Sequence, residues 1–74
     1  MIHLEYPGWD EGRSWQDKSR WCEEHFGRHY NDLNRHLPPE LTEENPWYMY
    51  YLNGNTHWWF LDAAKAIMFR LRWG

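Results

Sequence analysis

The alternation of apolar and polar side chains predicts three β-strands. Residues 2–6 alternate apolar and polar positions and end at a Pro-Gly pair, which is typical of a short strand. Two later apolar runs, 47–52 and 56–61, flank Asn53 and Gly54, and Asn-Gly between such runs is the strongest short-range hairpin signal. Since three strands are about the minimum for an independently stable sheet, strand 2–6 is expected to join the hairpin in one antiparallel sheet.

The hairpin carries large aromatic side chains on both of its faces. With a two-residue turn, one face holds Tyr48, Tyr50, Leu52, His57, Trp59 and Leu61, and the other holds Trp47, Met49, Tyr51, Thr56, Trp58 and Phe60. A three-residue loop would pair these sets differently but would still leave aromatic residues on both sides. Because a small core needs only one apolar face, the surplus predicts a second contact surface, for a partner or for a second copy.

Helical spacing predicts a first helix over about 14–26. Ser14 is a suitable N-cap residue, and Gly27 is suited to end the helix. An alternative helix continues through Gly27 to Leu37, because apolar residues keep steps of three and four along 22–37. We favour the break, since an interior glycine costs about 1 kcal/mol relative to alanine, and expect a turn with irregular or short helical structure over 28–37.

A second helix is predicted over about 63–71, with Asp62 as its N-cap. Its apolar face is expected to be Ala64, Ile67, Met68 and Leu71, with Ala63 and Ala66 permitting close approach to the sheet. Both helices should lie mainly on one face of the sheet. The expected fold is therefore a single small α+β domain, with a strand and helix order that matches most of a ferredoxin-like split βαβ unit.

Composition limits the functional classes. The 74 residues include seven Trp, five Tyr and three Phe but no Val, so the core must be built mainly from aromatic rings. A net charge of −3 argues against general binding to nucleic acid or to anionic lipid. One cysteine, Cys22, excludes an internal disulfide, and the chain has no long apolar run and no signal-peptide pattern at its start. A soluble intracellular protein is expected.

Chemistry-bearing motifs are few. Cys22, His25 and His29 have a spacing that could bind a soft divalent metal on one continuous helix. If the helix breaks at Gly27, His29 no longer lies on the same helix face as Cys22 and His25. Cys22 also lies on the predicted core face, where a free cysteine acts as a small hydrophobic residue. No nucleophile elbow, dinucleotide fingerprint or phosphate-binding Gly-rich loop is present. We therefore expect a protein that is not an enzyme and needs no cofactor.

The aromatic hairpin with acidic neighbours is the predicted contact surface. Tyr and Trp dominate the hot spots of protein interfaces, whereas base stacking ordinarily requires a positive groove as well. The candidate residues for binding a partner are Trp47, Tyr48, Tyr50, Tyr51, His57, Trp58, Trp59, Glu43 and Glu44.

The last fifteen residues carry a resemblance to known proteins. Residues 60–74 combine an aromatic strand end, Asp62, alanines and a closing Phe-Arg-Leu-Arg-Trp-Gly, and in this they resemble the ends of small tailed-bacteriophage proteins. The resemblance implies a phage product acting in the cytoplasm of the infected bacterium, with no catalytic residue to transfer. The expected function is binding and modulating a host or viral protein, as an inhibitor of host-takeover or anti-defence type. The alternatives are a homo-oligomeric structural or virion-associated protein and, third, a metal- or nucleic-acid-binding module.

Overall fold

The computed structural model describes residues 1–8, 14–30 and 38–74. Its elements are β1 (Ile2–Pro7), α1 (Trp15–Phe26), β2 (Trp47–Leu52), β3 (Asn55–Phe60) and α2 (Ala63–Trp73). The predicted α+β fold, with two helices and an antiparallel sheet, is confirmed. The expected turn or short helix over 28–37 lies outside the described residues from position 31 onward. Neither described helix is long and apolar enough to cross a membrane.

The sheet has the strand order β1-β3-β2, and β3 is antiparallel to both of its neighbours. The outer strands β1 and β2 are therefore parallel to each other, with β3 inserted between them. This is the strand arrangement of a split βαβ unit whose crossover contains α1. A complete ferredoxin-like unit has a fourth strand, and the described residues form three, so the ferredoxin-like assignment stays a prediction.

The hairpin turn has the two residues that the sequence predicts. Asn53 and Gly54 both have positive φ, at 54° and 84°, which is the backbone of the turn type that matches the twist of paired strands. Tyr48 consequently lies opposite Trp59, and Tyr50 lies opposite His57. The predicted division of the hairpin into two aromatic faces is confirmed.

The first helix begins and ends at its predicted capping residues. The Ser14 side chain accepts a hydrogen bond of 3.1 Å from the backbone N–H of Asp17, which satisfies one of the unpaired N–H groups of the first turn. Gly27 has a φ of 112° and donates its N–H to the Glu23 carbonyl at 3.2 Å. This φ lies far outside the helical range, so α1 ends here and does not continue through Gly27. Glycine suits the position because a residue with a side chain would be strained at that φ.

The core lies between the inner face of the sheet and the two helices. Three aromatic residues of β2 and β3 are fully buried there, namely Trp47, Trp58 and Phe60. They pack with Cys22 of α1 and Phe69 of α2 in one hydrophobic cluster. The indole Nε1 of Trp58 donates to the Thr56 hydroxyl at 3.0 Å, so this polar group is satisfied inside the core. Both helices therefore pack on one face of the sheet, as the sequence predicts.

The second helix packs with a different face from the one that the sequence predicts. Its buried residues are Ala66, Phe69 and Trp73, whereas Ile67, Met68 and Leu71 are exposed. The two sets of residues each recur with helical spacing, but they lie on different sides of α2. The larger rings of Phe69 and Trp73 bury more apolar surface than the aliphatic side chains would, and we infer that this difference selects the orientation. The expected core face of Ala64, Ile67, Met68 and Leu71 is thus wrong.

This orientation of α2 predicts unequal effects of two neighbouring substitutions. Phe69→Ala should lower the free energy of unfolding by about 3–5 kcal/mol, because it removes a fully buried ring. Met68→Ala should change it by less than about 1 kcal/mol, because this side chain is already half in water. Urea unfolding followed by circular dichroism measures both values. Equal losses in the two variants would mean that α2 is rotated relative to the orientation described here.

Candidate functional site

Two of the predicted contact residues lie in the core. Trp47 and Trp58 are almost completely shielded from solvent and stack with their ring centroids 6.1 Å apart. The strand register turns both of them toward the helices, on the same side as Phe60. Trp47 and Trp58 are therefore core residues and, in contrast to the predicted contact surface, they present almost no accessible area to a partner in the folded protein.

The other aromatic face of the hairpin forms the outer face of the sheet. Tyr50, His57 and Trp59 are partly buried there, and Tyr48 is buried. The Tyr50 and His57 rings stack at 4.9 Å. Tyr30 packs its ring edge against Tyr48 at 5.6 Å and donates its backbone N–H to the Trp47 carbonyl at 2.7 Å. His29 and Tyr30 thus lie along the free edge of β2.

Tyr51 is the most exposed aromatic residue among the predicted contact residues, with 65% of its surface accessible. Together with Trp15, Met49 and Thr56 it lines a mostly apolar cleft of about 200 Å³, which we call the hairpin cleft. Trp15 is 46% exposed. The acidic candidates Glu43 and Glu44 are exposed in the loop that precedes β2.

The three residues of the predicted metal-binding motif do not form a common site. Cys22 is fully buried in the core, and burial raises the pKa of its thiol far above the usual range. His25 is exposed and stacks on Trp21 at 4.3 Å. His29 lies beyond the end of α1, where its Nε2 accepts a hydrogen bond of 3.1 Å from the backbone N–H of Met49. Each residue has a separate structural role, and a thiol held protonated is a poor ligand.

A different group of potential metal ligands meets on the outer face of the sheet. His3, Glu5 and His57 bring one ligand atom each within 4.8 Å of one another. His3 Nε2 lies 3.0 Å from His57 Nδ1, and Glu5 Oε1 lies 3.7 Å from the same nitrogen. Burial and the neighbouring His57 lower the pKa of His3, against the opposing effect of Glu5. No local motif indicates this group, because the histidines are 54 positions apart and only the strand register brings them together.

A further exposed surface lies along α2, and we call it the α2 outer stripe. Ile67, Met68 and Leu71 are 56%, 45% and 82% exposed, respectively. Ile67 and Leu71 lie one turn apart and line an open depression of about 340 Å³ together with Arg70 and Gly74. The residues of the stripe belong to the apolar face that the sequence predicts for the core. The competing stripe of Phe69 and Trp73 was the signal that could have revealed their exposure.

Comparison with protein-family models, with curated proteins and with solved structures finds no match to this chain.

The contacts of His29 predict a pH-dependent contribution to stability. Burial lowers its pKa below 6.5, although the Met49 carbonyl and the Glu23 carboxylate oppose this shift. The pKa of His29 is thus lower in the folded protein than in the unfolded chain. Between these two pKa values the unfolded chain binds more protons, so the free energy of unfolding should fall as pH is lowered through that window. Urea unfolding on both sides of the window measures the effect.

The variant His29→Gln isolates this contribution. Its amide oxygen can still accept the Met49 N–H bond, but the side chain no longer titrates. The decrease in stability on acidification should therefore be smaller in the variant than in the natural sequence. An identical decrease in both proteins would show that His29 does not contribute, and a direct NMR titration of its ring would give the pKa itself.

Proposed function

We propose that this chain is a non-enzymatic protein-binding domain whose main contact surface is the α2 outer stripe. The observation that carries the proposal is the exposure of Leu71, Ile67 and Met68 on a helix whose opposite side is already packed in the core. The helix is thus apolar on two sides, of which one packs in the core and the other is exposed to solvent.

The energetics of exposure support a binding role for this stripe. Removing a Leu, Ile or Met side chain from water stabilises a complex by about 1.5–3 kcal/mol when burial is complete. Single exposed apolar residues are ordinary on protein surfaces, but three neighbouring ones on one helix form a contiguous patch, and such patches are typical of interaction sites. The i, i+4 spacing of Ile67 and Leu71 is the pattern with which a helix fills an apolar groove.

Charge defines the chemistry of the partner surface. Arg70 and Arg72 are exposed on the same helix, and Arg70 lines the depression beside Ile67 and Leu71. Glu43 and Glu44 are also exposed, in the loop that precedes β2. The last residue of this loop, Pro46, accepts a hydrogen bond from the Leu61 N–H just before α2. A partner with an apolar groove and acidic groups at its rim would complement the stripe, since opposite charges speed association and fix orientation. The aromatic hairpin with its acidic neighbours Glu43 and Glu44 would instead favour a basic partner surface.

The resemblance of residues 60–74 to small tailed-bacteriophage proteins bears on the identity of the partner, because those residues include the whole of α2. We propose that the partner is a host or viral protein in the cytoplasm of the infected bacterium, and that binding modulates its activity. The exposed Tyr51 and Trp15 of the hairpin cleft provide a second, smaller aromatic contact area for the same role.

Self-association is the second candidate function. The same i, i+4 pair of Ile67 and Leu71 could pack against its copy, since helices commonly pair through residues at this spacing. A homo-oligomeric structural or virion-associated protein would use the stripe in this way. Sedimentation velocity at micromolar concentration distinguishes the two, because a monomer excludes a subunit contact of useful strength.

One substitution tests the proposed contact surface. Leu71→Asp should weaken binding at least about tenfold, the equivalent of about 1.4 kcal/mol, because it replaces the most exposed apolar residue of the stripe with a charge. Gln16→Asp, which adds the same charge at an exposed position of α1, is the matched control and should bind as the natural sequence does. Tagged protein and both variants are used to capture partners from a lysate of the bacterial host, and affinities are then measured with the purified partner.

Three outcomes of the capture experiment are informative. A protein retained by the natural sequence and by Gln16→Asp, but lost from Leu71→Asp, supports the proposal and identifies the target. Recovery of copies of this chain alone would favour self-association. A partner retained equally by all three proteins would contradict the assignment of the contact surface to α2.

A further inference from the structure

We propose that His3, Glu5 and His57 form a binding site for a single divalent transition-metal ion of the Zn²⁺ type on the outer face of the sheet. These side chains come from the two paired strands β1 and β3, and their ligand atoms already lie within 4.8 Å of one another. The site is separate from the α2 outer stripe and does not depend on the proposed function.

The strand geometry explains how the three side chains converge. His3 and Glu5 are two positions apart on β1, so they point to the same face of the sheet. Glu5 lies directly opposite His57 in the register of β1 and β3, and His3 is diagonal to it. Side chains in directly opposite positions and in diagonal positions on adjacent strands are close enough to contact each other. The backbone of the sheet therefore holds all three ligands, without any contribution from a loop.

The distances are close to those of a tetrahedral zinc site. Two imidazole nitrogens bound to one Zn²⁺ at about 2.0–2.1 Å lie about 3.3 Å apart at the tetrahedral angle. His3 Nε2 and His57 Nδ1 are 3.0 Å apart, and Glu5 Oε1 is 3.7 Å from His57 Nδ1. These two distances are close to those of a tetrahedral site, and a small rotation of the Glu5 carboxylate, which lies within 4.8 Å of both nitrogens, would bring the third ligand to the ion.

Neighbouring side chains fix the orientation of each ligand. The Trp59 ring stacks on His3 at 4.5 Å, and the Tyr50 ring stacks on His57 at 4.9 Å. The side-chain amide of Asn55 donates to Glu5 Oε2 at 2.6 Å, which leaves Oε1 directed toward His57. Such supporting contacts are typical of metal sites, where they orient the ligands and strengthen binding.

Two imidazoles and one carboxylate are a ligand set that suits zinc. In the metal-free site one ring nitrogen donates its hydrogen to the other across the 3.0 Å contact. When the ion binds, that hydrogen moves to the second nitrogen of its own ring, so both facing nitrogens become available as ligands. Three protein ligands leave the fourth position of the ion open to water or to a ligand from another molecule.

Metal binding is measured on untagged protein, because a polyhistidine tag would itself bind the ion. Isothermal titration with ZnCl₂, after treatment with a chelator, should show one ion bound per chain. Titration with CoCl₂ should give the visible absorption of a low-symmetry Co²⁺ complex, which reports the ligand geometry directly. Absence of saturable binding to either ion at micromolar protein concentration would overturn the proposal.

Matched variants test the identity of the ligands. Glu5→Gln and His57→Asn should each lower the affinity for Zn²⁺ by about tenfold or more, since even supporting residues of metal sites contribute factors of about 10–100. His25→Asn removes an exposed histidine of α1 that is not part of the site and should leave the affinity unchanged. Circular dichroism checks that each variant is folded. If His57→Asn does not fold, Glu5→Gln at its exposed position decides the test.

Two results for these variants would contradict the assignment. Affinity that is unchanged in Glu5→Gln would show that the carboxylate is not a ligand and that the three side chains form only a hydrogen-bonded surface cluster. A loss in His25→Asn as large as that in His57→Asn would indicate adventitious binding to surface histidines.

Discussion

The contacts of the Phe69 ring hold this fold together. This ring packs against Trp58 and Phe60 at centroid distances of 4.9 and 5.0 Å, against Tyr6 at 5.4 Å and against Trp21 at 6.1 Å. One side chain of α2 therefore touches β1, β3 and α1. A domain of this size buries only about 60% of its unfolded surface, so one ring that contacts three elements provides a large share of the core packing. It fixes the rotation of α2 about its axis, and the exposure of Ile67 and Leu71 is a consequence of that rotation.

Much of the fold could be predicted because its signals are local. The Asn53-Gly54 turn determines the pairing of β2 with β3, and Ser14 and Gly27 determine the ends of α1. The rotation of α2 could not be predicted in the same way. Its sequence contains two apolar stripes, and the choice between them depends on which side chains fill the space left by Trp58 and Phe60. That is a property of tertiary packing, which periodicity alone does not contain.

The candidate sites could be predicted only in part. The Asn53-Gly54 turn predicts which hairpin residues share a face, but not which face lies inside, and for this reason Trp47 and Trp58 appear among the predicted contact residues. The cluster of His3, Glu5 and His57 depends on the pairing of β1 with β3, which no local motif encodes. The spacing of Cys22, His25 and His29, by contrast, is a local pattern with no spatial counterpart, because Cys22 packs in the core and Gly27 ends the helix before His29.

The orientation of α2, with one side in the core and the other in water, underlies the proposed contact surface, and side-chain solvent accessibility in solution tests this orientation most directly. Methyl and aromatic NMR signals would be recorded with and without a soluble paramagnetic agent. We expect strong broadening of the Ile67, Met68 and Leu71 methyl signals and little effect on the rings of Phe69 and Trp73. Protected methyl groups together with broadened Phe69 signals would contradict the orientation of α2, and with it the proposed contact surface.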